Sequence, residues 1–284
     1  MNRKIGFVFA FSVLGVACMS MQAASSILVH GHRGARAMRP ENTLPAFRYA
    51  IDAGVDALEL DMAVTRDGVL VISHDPVLEP PVCNGPAGGT AIIHTLTLAQ
   101  VREWDCGKVR NPNFPKQQTV PGTRMPTLDE VFDLAPLGNF DFNIETKIFA
   151  DKPEYAPSPQ EFVRLVLQSI RKHRLEKRVI LQSFDFRTLL EMKRIAPEIR
   201  TSALILGKSQ DFVTVARSAK ADIISPHFSM VTPEQVTAAH KAGIQVVPWT
   251  ANTPAEWDPL IAAGSDAIIS DDPAALIAYL KARK

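Results

Sequence analysis

The stretch VHGHRGARAMRPENT, Val29–Thr43, sets two histidines, three arginines and a glutamate in fifteen residues. Residues of these types suit phosphoryl chemistry: imidazoles move protons near neutral pH, and a guanidinium holds phosphate oxygens in a planar fork. Partners stand further along. ALELDMAV, Ala57–Val64, carries Glu59 and Asp61, SHDP carries His74, and FNIETKI carries Glu145 and Lys147. Side chains alternate along a strand, so Leu58, Leu60, Met62 and Val64 share one face and Glu59 and Asp61 the other. In an α/β barrel the apolar set turns outward to the helices, and the acids point into the mouth. By the same alternation Phe142, Ile144 and Ile148 face outward, while Asn143, Glu145 and Lys147 face inward. Three carboxylates gathered in one enclosed space cost free energy unless they are paired or bind a cation, and hard oxygen donors suit Mg²⁺ or Ca²⁺. The plainer alternative is an internal salt-bridge network closed by Lys147 and Arg33.

His32 ends the first strand, where barrel enzymes place catalytic groups, and Gly34 lets the chain turn sharply after it. His32 and His74 are the candidate acid–base pair, Arg33 a bidentate phosphate ligand and Lys147 a point charge. His30 is read as support or packing.

The elements that must position these groups follow from periodicity. Short β-rich runs alternate with helical segments: Ile27–His30, Ala57–Val64, Val69–His74, Phe142–Lys147, Val179–Ser183, Thr201–Leu206, Asp222–Ser225, Gln245–Trp249 and Ala267–Ser270. Nine runs exceed an eightfold barrel by one. Only Thr65-Arg66-Asp67-Gly68 separates the second run from the third, too little for a helical crossover, and Asp-Gly is a hairpin signal. The second strand therefore doubles back and returns His74 toward Glu59 and Asp61. Capping patterns at Ser158, Thr232, Thr253 and Thr127 mark helix starts. The fold class is α/β, a single (β/α)8 TIM barrel with a hairpin excursion and a long Pro/Gly-rich loop after strand 2. That loop, 76–126, holds eight of the 21 prolines. It contains one short helix capped by Thr97 with Gln100, and it is expected to wall the substrate pocket.

Length and charge bound the rest. The 284 residues with 46% hydrophobic content suffice for one large domain, and a net charge of +1 without a basic run argues against nucleic acid or an anionic membrane patch. Arg3 and Lys4 precede the apolar run Ile5–Cys18, the pattern of a signal peptide cut near Ala23. The domains are then 1–23 signal peptide and 24–284 barrel, with the mature protein periplasmic or secreted and without stable membrane insertion. A lipoprotein anchor at Cys18 matches its motif poorly, because Gly15 stands where an apolar residue is preferred. Export leaves Cys83 and Cys106 in a compartment where disulfides persist, and they are expected to pair.

Taken in order, GHRGARAMRPENTLPAF, GVDALELDMAVTRDGVLVISHDP, FNIETK, LQSF, VVPWTAN and GSDAIISDDP resemble the glycerophosphodiester phosphodiesterase family over nearly the whole mature chain. The resemblance implies an α/β barrel that hydrolyses glycerophosphodiesters, such as glycerophosphocholine or glycerophosphoethanolamine, to sn-glycerol 3-phosphate and an alcohol. It implies His32 and His74 as general acid and base, and Glu59, Asp61 and Glu145 as ligands of one divalent cation, Mg²⁺ or Ca²⁺. Arg33 and Lys147 would hold the phosphate of this small-molecule substrate. Glu41 of PENT joins the substrate-binding group by supporting the first-strand loop, and Trp249 gives the glycerol an apolar wall. Two other readings compete. A zinc amidohydrolase barrel would use His30 and His32 with Asp271, but it leaves the three acids without work. A binding protein that captures glycerophosphodiesters without cleaving them needs neither histidine.

Overall fold

Alternation in the strands and capped amphipathic stretches between them build the whole architecture. The computed structural model describes residues 27–283 other than 87 and 209, so the expected leader, 1–23, lies outside the described residues. The strands are β1 (Leu28–Gly31), β2 (Ala57–Val64), β3 (Leu70–Ile72), β4 (Val77–Leu78), β5 (Ala91–Ile92), β6 (Asp141–Thr146), β7 (Val179–Ser183), β8 (Arg200–Ile205), β9 (Ile223–Pro226), β10 (Gln245–Val246) and β11 (Ala267–Ser270). The helices are α1 (Leu44–Ala53), α2 (Leu98–Val101), α3 (Leu128–Phe132), α4 (Pro159–His173), α5 (Phe186–Ile195), α6 (Phe212–Ser218), α7 (Pro233–Lys241), α8 (Pro254–Ala263) and α9 (Pro273–Ala282).

Eight parallel strands run in the order β10-β9-β8-β7-β6-β2-β1-β11. Backbone hydrogen bonds draw the two ends together: Asp266 N–H donates to Val246 O at 2.9 Å and Ile269 N–H to Pro248 O at 3.0 Å. The result is a nearly closed barrel. β10 stops at Val246, short of the anticipated Trp249, because Pro248 has no N–H to give to a ladder. β3 pairs antiparallel with β2, Met62 opposite Ile72 and Val64 opposite Leu70, which is the hairpin excursion.

Helix starts follow the sequence chemistry. Thr127 and Thr97 form capping boxes with Glu130 and Gln100, Ser158 accepts from Glu161 N–H and Thr232 from Gln235 N–H. Outward residues Leu58, Leu60, Met62, Phe142 and Ile144 are fully buried against helix residues such as Phe47, Val131 and Phe162. Each such side chain contributes about 2–3 kcal/mol. Inside, Ile180, Ile223, Val247, Ala267 and Ile269 form an apolar plug. Buried polar residues also face the interior: Asn143 Nδ2 donates to Gln182 Oε1 at 3.0 Å and approaches His30 Nδ1 at 3.5 Å.

Residues 76–126 hold more structure than their composition announces. β4 pairs with β5, α2 follows, and Cys83 is bonded to Cys106. Leu78, Ile93, Val101, Trp104 and Met125 form a second small core against Ala63 of β2 and Val71 of β3. Closing a loop of this length contributes about 3 kcal/mol in the chain-entropy account.

Candidate active site

At the C-terminal ends of the barrel strands a cavity of about 190 Å³ is lined by His32, Arg33, Arg36, Glu59, Asp61, His74, Glu145, Lys147, Gln182, Phe184, Leu204, Trp249, Thr250 and Ile269. Glu59 and Asp61 come from β2, Glu145 from β6, and the parallel register sets Asp61 beside Glu145. One carboxylate oxygen from each lies within 4.8 Å of the others. His32 enters from the turn after β1. That turn depends on Gly34, whose φ of 82° lies in the left-handed region and whose Cα would bring a Cβ within 2.7 Å of Ala46. Arg33 itself adopts φ 49°, a conformation that costs a non-glycine residue free energy and is held by its contacts. Its N–H donates to Glu59 Oε2 at 2.8 Å, and its Nε lies 3.3 Å from Asp61 Oδ2.

The match to known proteins agrees with this geometry. The model of the "Glycerophosphoryl diester phosphodiesterase family" matches residues 32–275. The chain belongs to that family. A glycerophosphodiester phosphodiesterase of Caldanaerobacter subterraneus subsp. tengcongensis is 31% identical over 88% of this chain and 96% of its own. A Silicibacter pomeroyi structure provisionally assigned as a glycerophosphoryl diester phosphodiesterase superposes with a TM-score of 0.85 at 32% identity, covering 91% of this chain and 94% of that one. An Oleispira antarctica phosphodiesterase in complex with the product sn-glycerol-3-phosphate shares the fold, with a TM-score of 0.76, 23% identity and coverage of 89% and 96%. As a member of the glycerophosphoryl diester phosphodiesterase family, the protein is a phosphoric diester hydrolase.

Of the family residues anticipated from sequence, His32, His74, Arg33, Lys147, Trp249, Glu59, Asp61 and Glu145 all reach the one cavity. Glu41 does not line it. It lies behind Arg33, accepting from Nη1 at 2.5 Å, and also pairs with Arg36 at 3.2 Å. The expectation that loop 76–126 walls the pocket is corrected: none of its described residues lines this cavity. It supports the site from behind, with Gln117 Nε2 donating to Arg36 O at 2.7 Å and the Arg36 guanidinium 4.5 Å above the Phe114 ring. The zinc amidohydrolase reading fails with the family match. His30 is buried in the barrel interior, where burial first and the Arg200 charge second push it down to about 4.

Three neighbours of these groups have no part in the phosphodiesterase reading of the sequence, where Asp271 enters only as the acid of the zinc alternative. Asp271, one residue past β11, stands 2.5 Å from His32 Nδ1, because β11 lies beside β1 in the closed barrel. Asn252 fixes that carboxylate: its Nδ2 donates to Asp271 Oδ2 at 2.8 Å, and its Oδ1 accepts the Asp271 N–H at 2.8 Å. Gln182 on β7 donates to Glu59 Oε1 at 2.7 Å. The available signal was the inward parity of Gln182 in VILQS and the strand-end position of Asp271 in ISDDP.

Electrostatics separate the three acids. Burial opposes charge on Asp61, but Lys147 foremost, then His74 and Arg33, outweigh it and hold its carboxyl well below the usual range. Burial and the adjacent Asp61 charge push Glu59 well above that range. Burial also raises Glu145, with Lys147 pulling against it from 2.7 Å. Three carboxylates therefore share two close cations, Lys147 and Arg33, and the donor set is all oxygen; it fits a hard divalent ion.

That imbalance sets a pH dependence. An acid raised in the folded state binds its proton more tightly there, so stability declines as pH rises from its ordinary value, 4.5 for Glu59, toward its folded value. A cation pairing with the ionised acids removes that penalty. The rise in melting temperature produced by saturating Ca²⁺ or Mg²⁺ should then be larger at about pH 7.5 than at about pH 5. Scanning fluorimetry at both values checks this, and an equal rise at each would refute it.

Proposed function

We propose that the protein hydrolyses glycerophosphodiesters such as glycerophosphocholine and glycerophosphoethanolamine to sn-glycerol 3-phosphate and an alcohol. The observation that carries the reading is the buried Glu59–Asp61–Glu145 group opening into the cavity that His32, His74, Arg33 and Lys147 share. Mg²⁺ or Ca²⁺ held by the three carboxylates would polarise a phosphoryl oxygen and neutralise developing charge.

The chain's own residues supply the rest. Arg33 and Lys147 hold the phosphate, each kept in place by acids behind or beside it. His32 gives its Nδ1 proton to the bond with Asp271, so Nε2 offers a lone pair that takes the proton of the attacking hydroxyl. His74, which lines the same cavity, protonates the departing oxygen. Trp249 spends its indole N–H on Ser225 O at 2.9 Å, leaving ring carbon toward the cavity, with Phe184 edge-on at 5.5 Å. These rings form the apolar wall for the glycerol carbons. The attacking group is either the neighbouring glycerol hydroxyl, giving a cyclic phosphate that water opens, or water itself; trapping the cyclic ester decides for the first.

Export to the periplasm or the medium is part of the proposal, supported by the basic-apolar pattern at the N-terminus and by the disulfide. The functional test is release of glycerol 3-phosphate from a head-group panel with Mg²⁺, with Ca²⁺ and after chelation. Cation-dependent release supports the assignment. Tight binding of intact glycerophosphocholine without cleavage would make the protein a binder instead.

A further inference from the structure

The Cys83–Cys106 bond and the insertion it closes have no part in the chemistry described so far. We infer that this disulfide-closed insertion is the brace that positions His74, and that without the bond proton delivery to the departing oxygen fails while the cation site survives. The inference rests on the reading of His74 as the acid.

The two imidazoles are held in different ways. His32 follows a barrel strand and is clamped by Asp271, which Asn252 clamps in turn. His74 lies on the short link Ser73–Pro76 between β3 and β4. Its side chain is 34% exposed and meets Asp75 at 2.9 Å, a carboxylate itself 54% exposed. Such a contact does little to fix a ring, so the backbone must set its place. One end of the link is tied to the barrel, Ser73 N–H donating to Asp61 O at 2.9 Å. The other end is tied to the insertion: Ile93 N–H donates to Pro76 O at 2.9 Å, and Val77 pairs with Ile92.

A void of about 10 Å³ is lined by His74 and Asp75 of the link together with Cys83, Cys106 and Met125 of the insertion. Directly after Cys83, Asn84 exchanges backbone hydrogen bonds with Asp105, the residue before Cys106, at 2.8 and 3.0 Å. The bond thus clamps the two limbs of the insertion at the void that the histidine also lines. Among its described residues the insertion has one two-residue strand pair, a single 3-10 turn and a four-residue helix, so its own small core, completed only by Ala63 and Val71 of the barrel, leaves the staple a large share of holding it. When it opens, His74 moves, whereas Glu59, Asp61 and Glu145 stay on β2 and β6. Misplacing a reacting group by about 1 Å can cost on the order of a hundredfold in rate.

The test compares Cys83→Ala/Cys106→Ala with Met125→Ala, which thins the same wall and keeps the bond, and with His74→Ala as reference. Each is assayed on glycerophosphocholine, whose alkoxide must be protonated to leave, and on a p-nitrophenyl phosphodiester, whose phenolate leaves without a proton. Turnover of glycerophosphocholine should fall about tenfold to a hundredfold in the double variant, and by a smaller factor in Met125→Ala. The nitrophenyl ester should stay within about threefold of the parent, with the Ca²⁺-induced rise in melting temperature retained. If His74→Ala is selective in this way but the double variant keeps full turnover of glycerophosphocholine, or loses both substrates equally, the brace is refuted while the acid reading stands. If the double variant does not fold, Met125→Ala decides by the same ratio. Loss of both substrates alike in His74→Ala refutes the acid reading and the brace with it.

Discussion

Asp61→Asn should abolish turnover and, with it, the melting-temperature response to divalent cation. Asp61 receives Lys147 at 3.1 Å on one oxygen, and Asn42 Nδ2 at 2.9 Å and Arg33 Nε at 3.3 Å on the other. An amide cannot answer that many positive donors, nor supply a hard anionic ligand. The fold should lose on the order of 3 kcal/mol, the low end for a broken buried pair, because Lys147 keeps Glu145 and Arg33 keeps Glu41. The wild-type contribution also has a signed pH dependence. Asp61 is held below its ordinary value of 3.8, so its share of stability is complete above that pH and is lost as pH falls through the lower folded value. Denaturant unfolding near pH 7, with and without Ca²⁺, checks the magnitude; a variant that still gains stability from the cation would remove Asp61 from the ligand set.

The second large effect is at His32, whose Nε2 lies 3.9 Å from Glu59 Oε2. His32→Ala should cut kcat by about 10²–10⁴-fold, the usual worth of a positioned acid or base, equivalent to about 3–5 kcal/mol of barrier. Asp271→Asn should come close to it. The amide keeps the shape of the carboxylate but no longer stabilises the imidazolium or holds Nδ1 as the protonated nitrogen, so Nε2 is presented in the wrong state. If, as proposed, His32 works through its 2.5 Å contact with Asp271, the double variant should be little worse than His32→Ala alone. Multiplicative losses in steady-state kinetics would mean that Asp271 works independently of the histidine.

Local alternation carried most of the barrel. Ala57–Val64 and Val179–Ser183 are strands with the bounds that their β-rich runs suggest, and the inward parity of Glu59, Asp61 and Glu145 follows from the outward apolar residues between them. What alternation cannot express is which strand ends become neighbours. Asp271 lies 239 residues from His32 and meets it only because the last strand pairs with the first, and Gln182 lies 123 from Glu59 and reaches it across β6, which stands between their strands. The insertion misled for a different reason. Its prolines and glycines correctly announce irregular backbone, but Leu78, Ile93, Val101, Trp104 and Met125 follow no period, and nothing in their spacing says that they meet over Ala63 and Val71. Composition described the path of this segment and concealed its destination.

The apolar plug of Ile180, Ile223, Val247, Ala267 and Ile269 makes the barrel a blind well. Whatever enters must leave by the same doorway, so the two fragments of a cleaved diester queue for a single exit. On the proposed reading the phosphate-bearing fragment, held by Arg33 and Lys147 in this cavity, would be the last to leave and would compete with the next substrate.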